Sequence, residues 1–208
     1  MCNPVQKLKI GVESGKEFTI PQARKEKPIL FYGTSIVQGI GASRPGMAFP
    51  AIVGRKLNRP VYNFGFAGKG QMDLALSEAF AELDPAIYIL DCMPNMYNLS
   101  WVEQRTIPFV QTLQKAHPNT PILLCEDGLC PNVWCDSWRD GYHKGNHAAI
   151  KKEFDKMKRQ GFKNIYYLEG DKMMPADDDG YVEGRHPNDF GYACMAHYYS
   201  KTIEKIIG

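Results

Sequence analysis

Four segments of the chain carry residues suited to acyl transfer, each just past an apolar run or just ahead of a helical one. Ser35 follows Gly33-Thr34 at the end of the run Pro28–Tyr32. A serine hydroxyl is a nucleophile once a neighbouring base takes its proton, although the same turn also suits a serine that merely caps a helix. Gly68 lies in Gly65-Phe66-Ala67-Gly68-Lys69-Gly70 after a second run; glycines there let a backbone N–H approach a ligand, or simply make a flexible turn. Asn95 closes Asp91-Cys92-Met93-Pro94-Asn95 after a third and offers a side-chain amide donor. His186 stands three residues after Glu183 in Glu183-Gly184-Arg185-His186-Pro187. Its imidazole can serve as base for Ser35 while the carboxylate fixes its tautomer. Taken singly, each segment has an ordinary structural reading, that of His186 being a solvent-exposed loop histidine.

The elements that must position them alternate. Pro28–Tyr32, Val61–Phe64, Ala86–Asp91, Pro121–Cys125 and Lys163–Leu168 are strand-sized and mostly apolar on both faces, as buried parallel strands are. Helical spacing follows over Met47–Asn58, Met72–Leu83, Trp101–His117, Asn146–Gln160 and Asp189–Ile207. In the fourth, His147, Ile150, Phe154 and Met157 form an apolar stripe, and Gly161 follows as a C-cap. Pro108 predicts a kink or a short helix in the third. Five strands alternating with helices predict an α/β protein: a three-layer α/β/α, doubly wound, flavodoxin-like sheet of five parallel strands. Residues 28–208 form that domain. Residues 1–27 are an N-terminal extension with one strand-like piece, Leu8–Val12. Residues 126–145 hold Trp134, Trp138, Tyr142, Cys130, Cys135 and His143 without a period. They are expected to be a loop walling the ligand edge of the sheet.

The four segments together resemble the SGNH, or GDSL-like, serine hydrolases, named for a serine, a glycine, an asparagine and a histidine in successive blocks. The matching residues are Ser35, Gly68, Asn95 and His186, in the right order over residues 28–207. Three departures from the usual wording occur: Thr34 for aspartate in Gly-Asp-Ser, Cys92 and Met96 at the ends of Gly-x-Asn-Asp, and Glu183 for the aspartate before the histidine. The last leaves Asp178 and Asp179 open as alternative acids. The resemblance implies a serine esterase with Ser35, His186 and Glu183 as catalytic residues. Its oxyanion hole is made by the N–H groups of Ser35 and Gly68 with the Asn95 amide, and no metal or cofactor takes part. Phe31-Tyr32-Gly33-Thr34-Ser35-Ile36-Val37-Gln38-Gly39 resembles a bacterial branch whose members often carry a small upstream β-domain, often are exported, and often act on carbohydrate esters. Residues 1–27 then read as a remnant of such a domain.

Composition narrows the partners. The chain of 208 residues has 25 basic and 23 acidic residues, a net charge of +2, and 44% hydrophobic residues. Nothing in that balance asks for nucleic acid or an anionic membrane. No apolar run approaches the roughly 18 residues of a membrane span. The expected partner is a small-molecule or oligosaccharide ester, with short acyl groups favoured. Trp134, Trp138 and Tyr142 can stack on sugar rings, or equally pack a lid. A zinc site at Cys125, Cys130, Cys135, His143 and His147 is disfavoured, because the cysteine spacing lacks a return pair and His147 continues an apolar stripe. Spacing alone leaves a Cys130–Cys135 disulfide open. The competing expectation is a catalytically weak carbohydrate- or partner-binding module, or a phosphate cradle at Gly33–Gly39, which lacks the Gly-Lys of a phosphate loop.

Overall fold

Proline has no N–H to give to a ladder, and three of the strands start immediately after one. In the computed structural model, which describes residues 6–20, 22 and 24–208, β1 is Ile29–Gly33, β2 Val61–Gly65, β3 Ile87–Asp91, β4 Ile122–Cys125 and β5 Ile165–Leu168. Pro28, Pro60 and Pro121 still accept at their carbonyls, from Ala86 N at 2.8 Å, Ile29 N at 2.9 Å and Tyr88 N at 3.0 Å. All pairings are parallel, in the order β2-β1-β3-β4-β5. This is the doubly wound sheet that the alternation predicts.

Strand alternation divides the interior into two cores. Leu30 and Tyr32 of β1, Tyr88 and Leu90 of β3, and Ile122 and Leu124 of β4 face one layer. That layer is built from α3 (Leu74–Ala81), α4 (Leu99–Ala116) and α5 (Ser137–Arg159). Ile29, Phe31, Ile87, Ile89, Leu123 and Cys125 face α2 (Phe49–Lys56) and α6 (Asp189–Ile207) on the other side. The three central strands are buried throughout, whereas β2 and β5 are not: Tyr62 and Tyr166 reach solvent. Both are edge strands, so the expectation of five strands apolar on both faces holds only for the centre.

Helix α4 runs unbroken through Pro108, contrary to the expected interruption. Pro108 sits on the exposed face, where the carbonyl it leaves without a donor can be met by water. Leu8–Val12 is no strand: its residues are irregular and exposed, and among the described residues no segment supplies it a ladder. Among the described residues no helix is long and apolar enough to cross a membrane.

The largest difference lies in residues 126–145. A short 3-10 turn, Pro131–Trp134, leads into α5, which begins at Ser137 with the Asp136 side chain accepting from Arg139 N at 3.0 Å. Half of the expected loop is thus helix. Its inward residues are His143, Asn146, Ile150, Glu153 and Met157, at steps of three and four. The period was there, but its first turns carry polar side chains, so it gave no apolar stripe.

Candidate active site

Every segment singled out from the sequence ends at the carboxyl edge of the sheet. Beyond β1, Thr34 Oγ1 accepts from Ile36 N at 3.2 Å and caps the single-turn helix α1 (Ser35–Gln38). The cap is therefore Thr34, not Ser35, which frees the serine hydroxyl. It also accounts for threonine in place of aspartate, since both residues cap well. Gly33 is required by packing: a Cβ there would lie 2.2 Å from the Asp91 carbonyl oxygen on β3.

His186 arrives on a tight loop. Val182 N donates to the His186 carbonyl at 2.9 Å and Asn188 N to that of Gly180 at 2.9 Å. Asn188 then caps α6 by accepting from Gly191 N at 3.0 Å. This loop is tied to the serine side of the cleft: Ser43 N and Oγ donate to Asp189 at 2.9 and 2.5 Å, and Tyr192 OH donates to the Ile40 carbonyl at 2.6 Å. The result is a chain of contacts. Ser35 Oγ lies 2.9 Å from His186 Nε2, and His186 Nδ1 lies 2.5 Å from Glu183 Oε1. Glu183 Oε1 also accepts from His186 N at 3.2 Å, which closes the loop on itself. Neither Asp178 nor Asp179 takes that place. The His186 side chain is 21% exposed and that of Glu183 51%.

Asn95 is buried with its amide oriented at both ends. Gly70 N donates to Asn95 Oδ1 at 3.2 Å, and Asn95 Nδ2 donates to Tyr97 OH at 3.1 Å. The first bond fixes which end is nitrogen, and Nδ2 keeps a second hydrogen for another acceptor. Gly68 has φ +71°, and nothing lies within 4 Å of where a Cβ would be. Its backbone therefore borders open space. Ser35, Gly68, Asn95 and His186 line one cavity of about 250 Å³ with Ile36, Ile40, Ala67, Pro94, Tyr97 and Arg185.

The expected aromatic contacts divide. Trp138 and Tyr142 stack, with centroids 5.5 Å apart and planes at 13°, and both line a smaller cavity beside the first. Tyr142 and Tyr97 lie 6.4 Å apart, so the aromatic row reaches Asn95. Trp134 does not join it; it is 84% exposed and lines a separate surface groove with Asp140 and Lys144. Tyr97 and Arg185 were missed from the sequence. Their signal was adjacency alone: one stands two residues after Asn95, the other directly before His186.

A second histidine–carboxylate group lies under the wall of the cleft. His143 Nδ1 is 2.6 Å from Asp127 Oδ2, His147 Nε2 is 2.7 Å from Asp127 Oδ1, and His147 Nδ1 is 3.5 Å from Glu126 Oε2. Burial pushes the Asp127 carboxyl up, but the two imidazoles outweigh it and hold it at about 2. Burial likewise pushes His143 down, and Asp127 together with Cys130 overcomes this and raises it to about 10. His147 thus faces a carboxylate rather than continuing an apolar stripe. Cys130 is a free, buried thiol and forms no disulfide with Cys135.

A family model for GDSL-like lipases and acylhydrolases matches residues 26–204. The chain belongs to that family. A protein of Bacteroides ovatus described as a GDSL-like lipase is 35% identical, with a TM-score of 0.84 over 87% of this chain and 53% of its own. The salicylyl-acyltransferase SsfX3 of a tetracycline biosynthetic pathway is 20% identical, with a TM-score of 0.75 over 89% and 56%. A family two carbohydrate esterase from Clostridium thermocellum, solved with cellohexaose, is 16% identical, with a TM-score of 0.69 over 91% and 67%. The last two likenesses concern the fold alone. The GDSL-like chain spans about half the length of the first two structures. Among curated proteins none matches it.

Proposed function

We propose that this protein is a serine esterase that hydrolyses short-chain, acetyl-sized esters carried on a carbohydrate. The observation that carries the reading is the aligned chain Ser35 Oγ–His186 Nε2 and Nδ1–Glu183 Oε1, at 2.9 and 2.5 Å, opening on a cavity shared with Gly68 and Asn95. Ser35 Oγ attacks the ester carbonyl as its proton passes to His186 Nε2. The carbonyl oxygen becomes an oxyanion, met by the N–H groups of Ser35 and Gly68 and by the free hydrogen of Asn95 Nδ2. His186 returns its proton to the departing alkoxide, which leaves an acyl-serine. Water, deprotonated by His186, attacks that acyl group and releases the acid and Ser35. Glu183 stabilises the imidazolium in both halves.

A cavity of about 250 Å³ suits a small acyl group. Support for a sugar comes from the row Tyr97, Tyr142 and Trp138, whose faces suit pyranose rings, and from the carbohydrate esterases among the proteins of like fold. Such substrates would suit an exported enzyme, periplasmic or secreted. The test is a panel of chromogenic esters from acetate to decanoate, with acetylated xylan, pectin and chitin fragments. Turnover is expected to fall as the acyl chain lengthens and to be lost in Ser35→Ala. Binding of the oligosaccharides without turnover of any ester would favour a carbohydrate-binding module instead.

A further inference from the structure

We propose that Asp127, His143 and His147 form a mononuclear site for a zinc-class divalent cation, which clamps the first turns of α5 to the end of β4. The three side chains offer ligand atoms that all lie within 4.8 Å of one another. His143 and His147 are one helical turn apart on α5, the spacing that presents two imidazoles to one metal ion. Asp127, from the segment just past β4, completes a set of three protein ligands, two nitrogen and one oxygen, as in zinc sites that keep a position open.

Three further observations point to an ion rather than to a plain ion-pair cluster. His143 Nδ1 is buried and lies 2.6 Å from Asp127 Oδ2, yet makes no aligned hydrogen bond with it or with any other group. His147 has a carboxylate on each nitrogen, Asp127 at Nε2 and Glu126 at Nδ1. Glu126 is itself held by Tyr167 OH at 2.6 Å and Gly170 N at 2.8 Å. That is the outer carboxylate that commonly orients a metal-binding histidine. Finally, Asp127 and His143, though not His147, border a cavity of about 20 Å³, room for roughly one water-sized occupant.

Charge and size agree. Asp127 and Glu126 bring two negative charges, which one divalent cation balances while displacing the protons on the imidazoles. Ligand atoms around a tetrahedral zinc with bonds of about 2.0–2.1 Å stand roughly 3.3 Å apart. The carboxylate contacts of 2.6 and 2.7 Å therefore open by about 0.6–0.7 Å when the ion enters. The cavity shares Ile36, Pro94 and Arg185 with the one at Ser35, so the clamp fixes the wall carrying Trp138 and Tyr142. It takes no part in the acyl-transfer steps and is tested without them.

The experiment uses the full chain, free of any histidine tag, stripped with chelator and dialysed against zinc or cobalt. About one equivalent of metal per chain is expected by mass spectrometry of the elements. Cobalt should give the intense visible absorption of a four-coordinate site, and zinc should raise Tm. His147→Gln and Asp127→Asn, each checked for native circular dichroism, should lose the metal and the Tm response. If Asp127→Asn fails to fold, His147→Gln and the wild type still decide. A folded wild type that holds less than a tenth of an equivalent of either metal, or variants that keep a full equivalent, would overturn the proposal. Ester hydrolysis is not the readout, so its presence or absence leaves this result standing.

Discussion

Two histidine–carboxylate groups stand at the carboxyl edge of this sheet, and they differ in burial. Glu183 and His186 sit on a surface loop, with Glu183 half exposed and His186 facing Ser35 Oγ. Asp127 and the α5 residues His143 and His147 lie deeper, with Asp127 and His143 buried and His147 16% exposed. An exposed pair gains little stability from its charges, but it can exchange protons with substrate and solvent. A buried group is costly to leave half-made, and it holds structure. On the proposed reading, the same residue types serve turnover in one place and rigidity in the other. Removing a member of the first should cost rate and spare the fold; removing a member of the second should cost stability first.

The largest expected effect is on rate. Ser35→Ala should lower kcat by about 10⁴–10⁶, by analogy with other triads, with Tm within a degree or so of wild type in calorimetry. Glu183→Gln follows, at about 10³–10⁴ near neutral pH, again with little change in Tm. If it keeps more than a tenth of the rate, the exposed carboxylate is not working on His186. Asp127→Asn should invert the pattern. Breaking a buried pair costs about 3–5 kcal/mol, read as a lowered urea midpoint with unchanged m. Asn95→Ala should reduce kcat by about 10²–10³ with KM nearly constant, since the bond it supplies exists only in the transition state.

A pH-dependent effect concerns a third carboxylate, buried Asp91. Burial pushes its carboxyl up to about 7, against the hydrogen bond from Tyr199 OH and with the charge of Asp127 adding to the rise. Asp127 has two imidazoles to keep it ionised; Asp91 has none. An acid with a folded-state pKa above its ordinary 3.8 takes up a proton on folding, so its contribution weakens as pH rises from there through about 7. Asp91→Asn should therefore flatten the Tm profile between those pH values, and gain most relative to wild type above pH 7.

The same contrast explains what was legible in the sequence. The three central strands were, because burial on both faces makes them continuous apolar runs, and Ser35, Gly68, Asn95 and His186 were, because each follows a strand or precedes a helix in a fixed order. Glu183 was legible by its place three residues before His186. The first half of α5 was not. Its inward positions are His143 and Asn146, whose partners are Asp127 and the carbonyls of Met93 and Met96, and a polar face gives no hydrophobic period. Pro108 misled because its effect depends on which side of α4 meets water. Trp134 and Trp138 are alike in sequence, and only the turn before α5 sends one to the cleft and the other to a separate groove.

The central claim is that Ser35 is the activated nucleophile. Incubating the wild-type protein with an organofluorophosphonate and mapping the adduct by peptide mass spectrometry tests it most directly. One adduct per chain is expected, on the peptide containing Ser35, absent in Ser35→Ala and slowed in His186→Ala. A folded protein that takes no label, or takes it on another residue, would contradict the account.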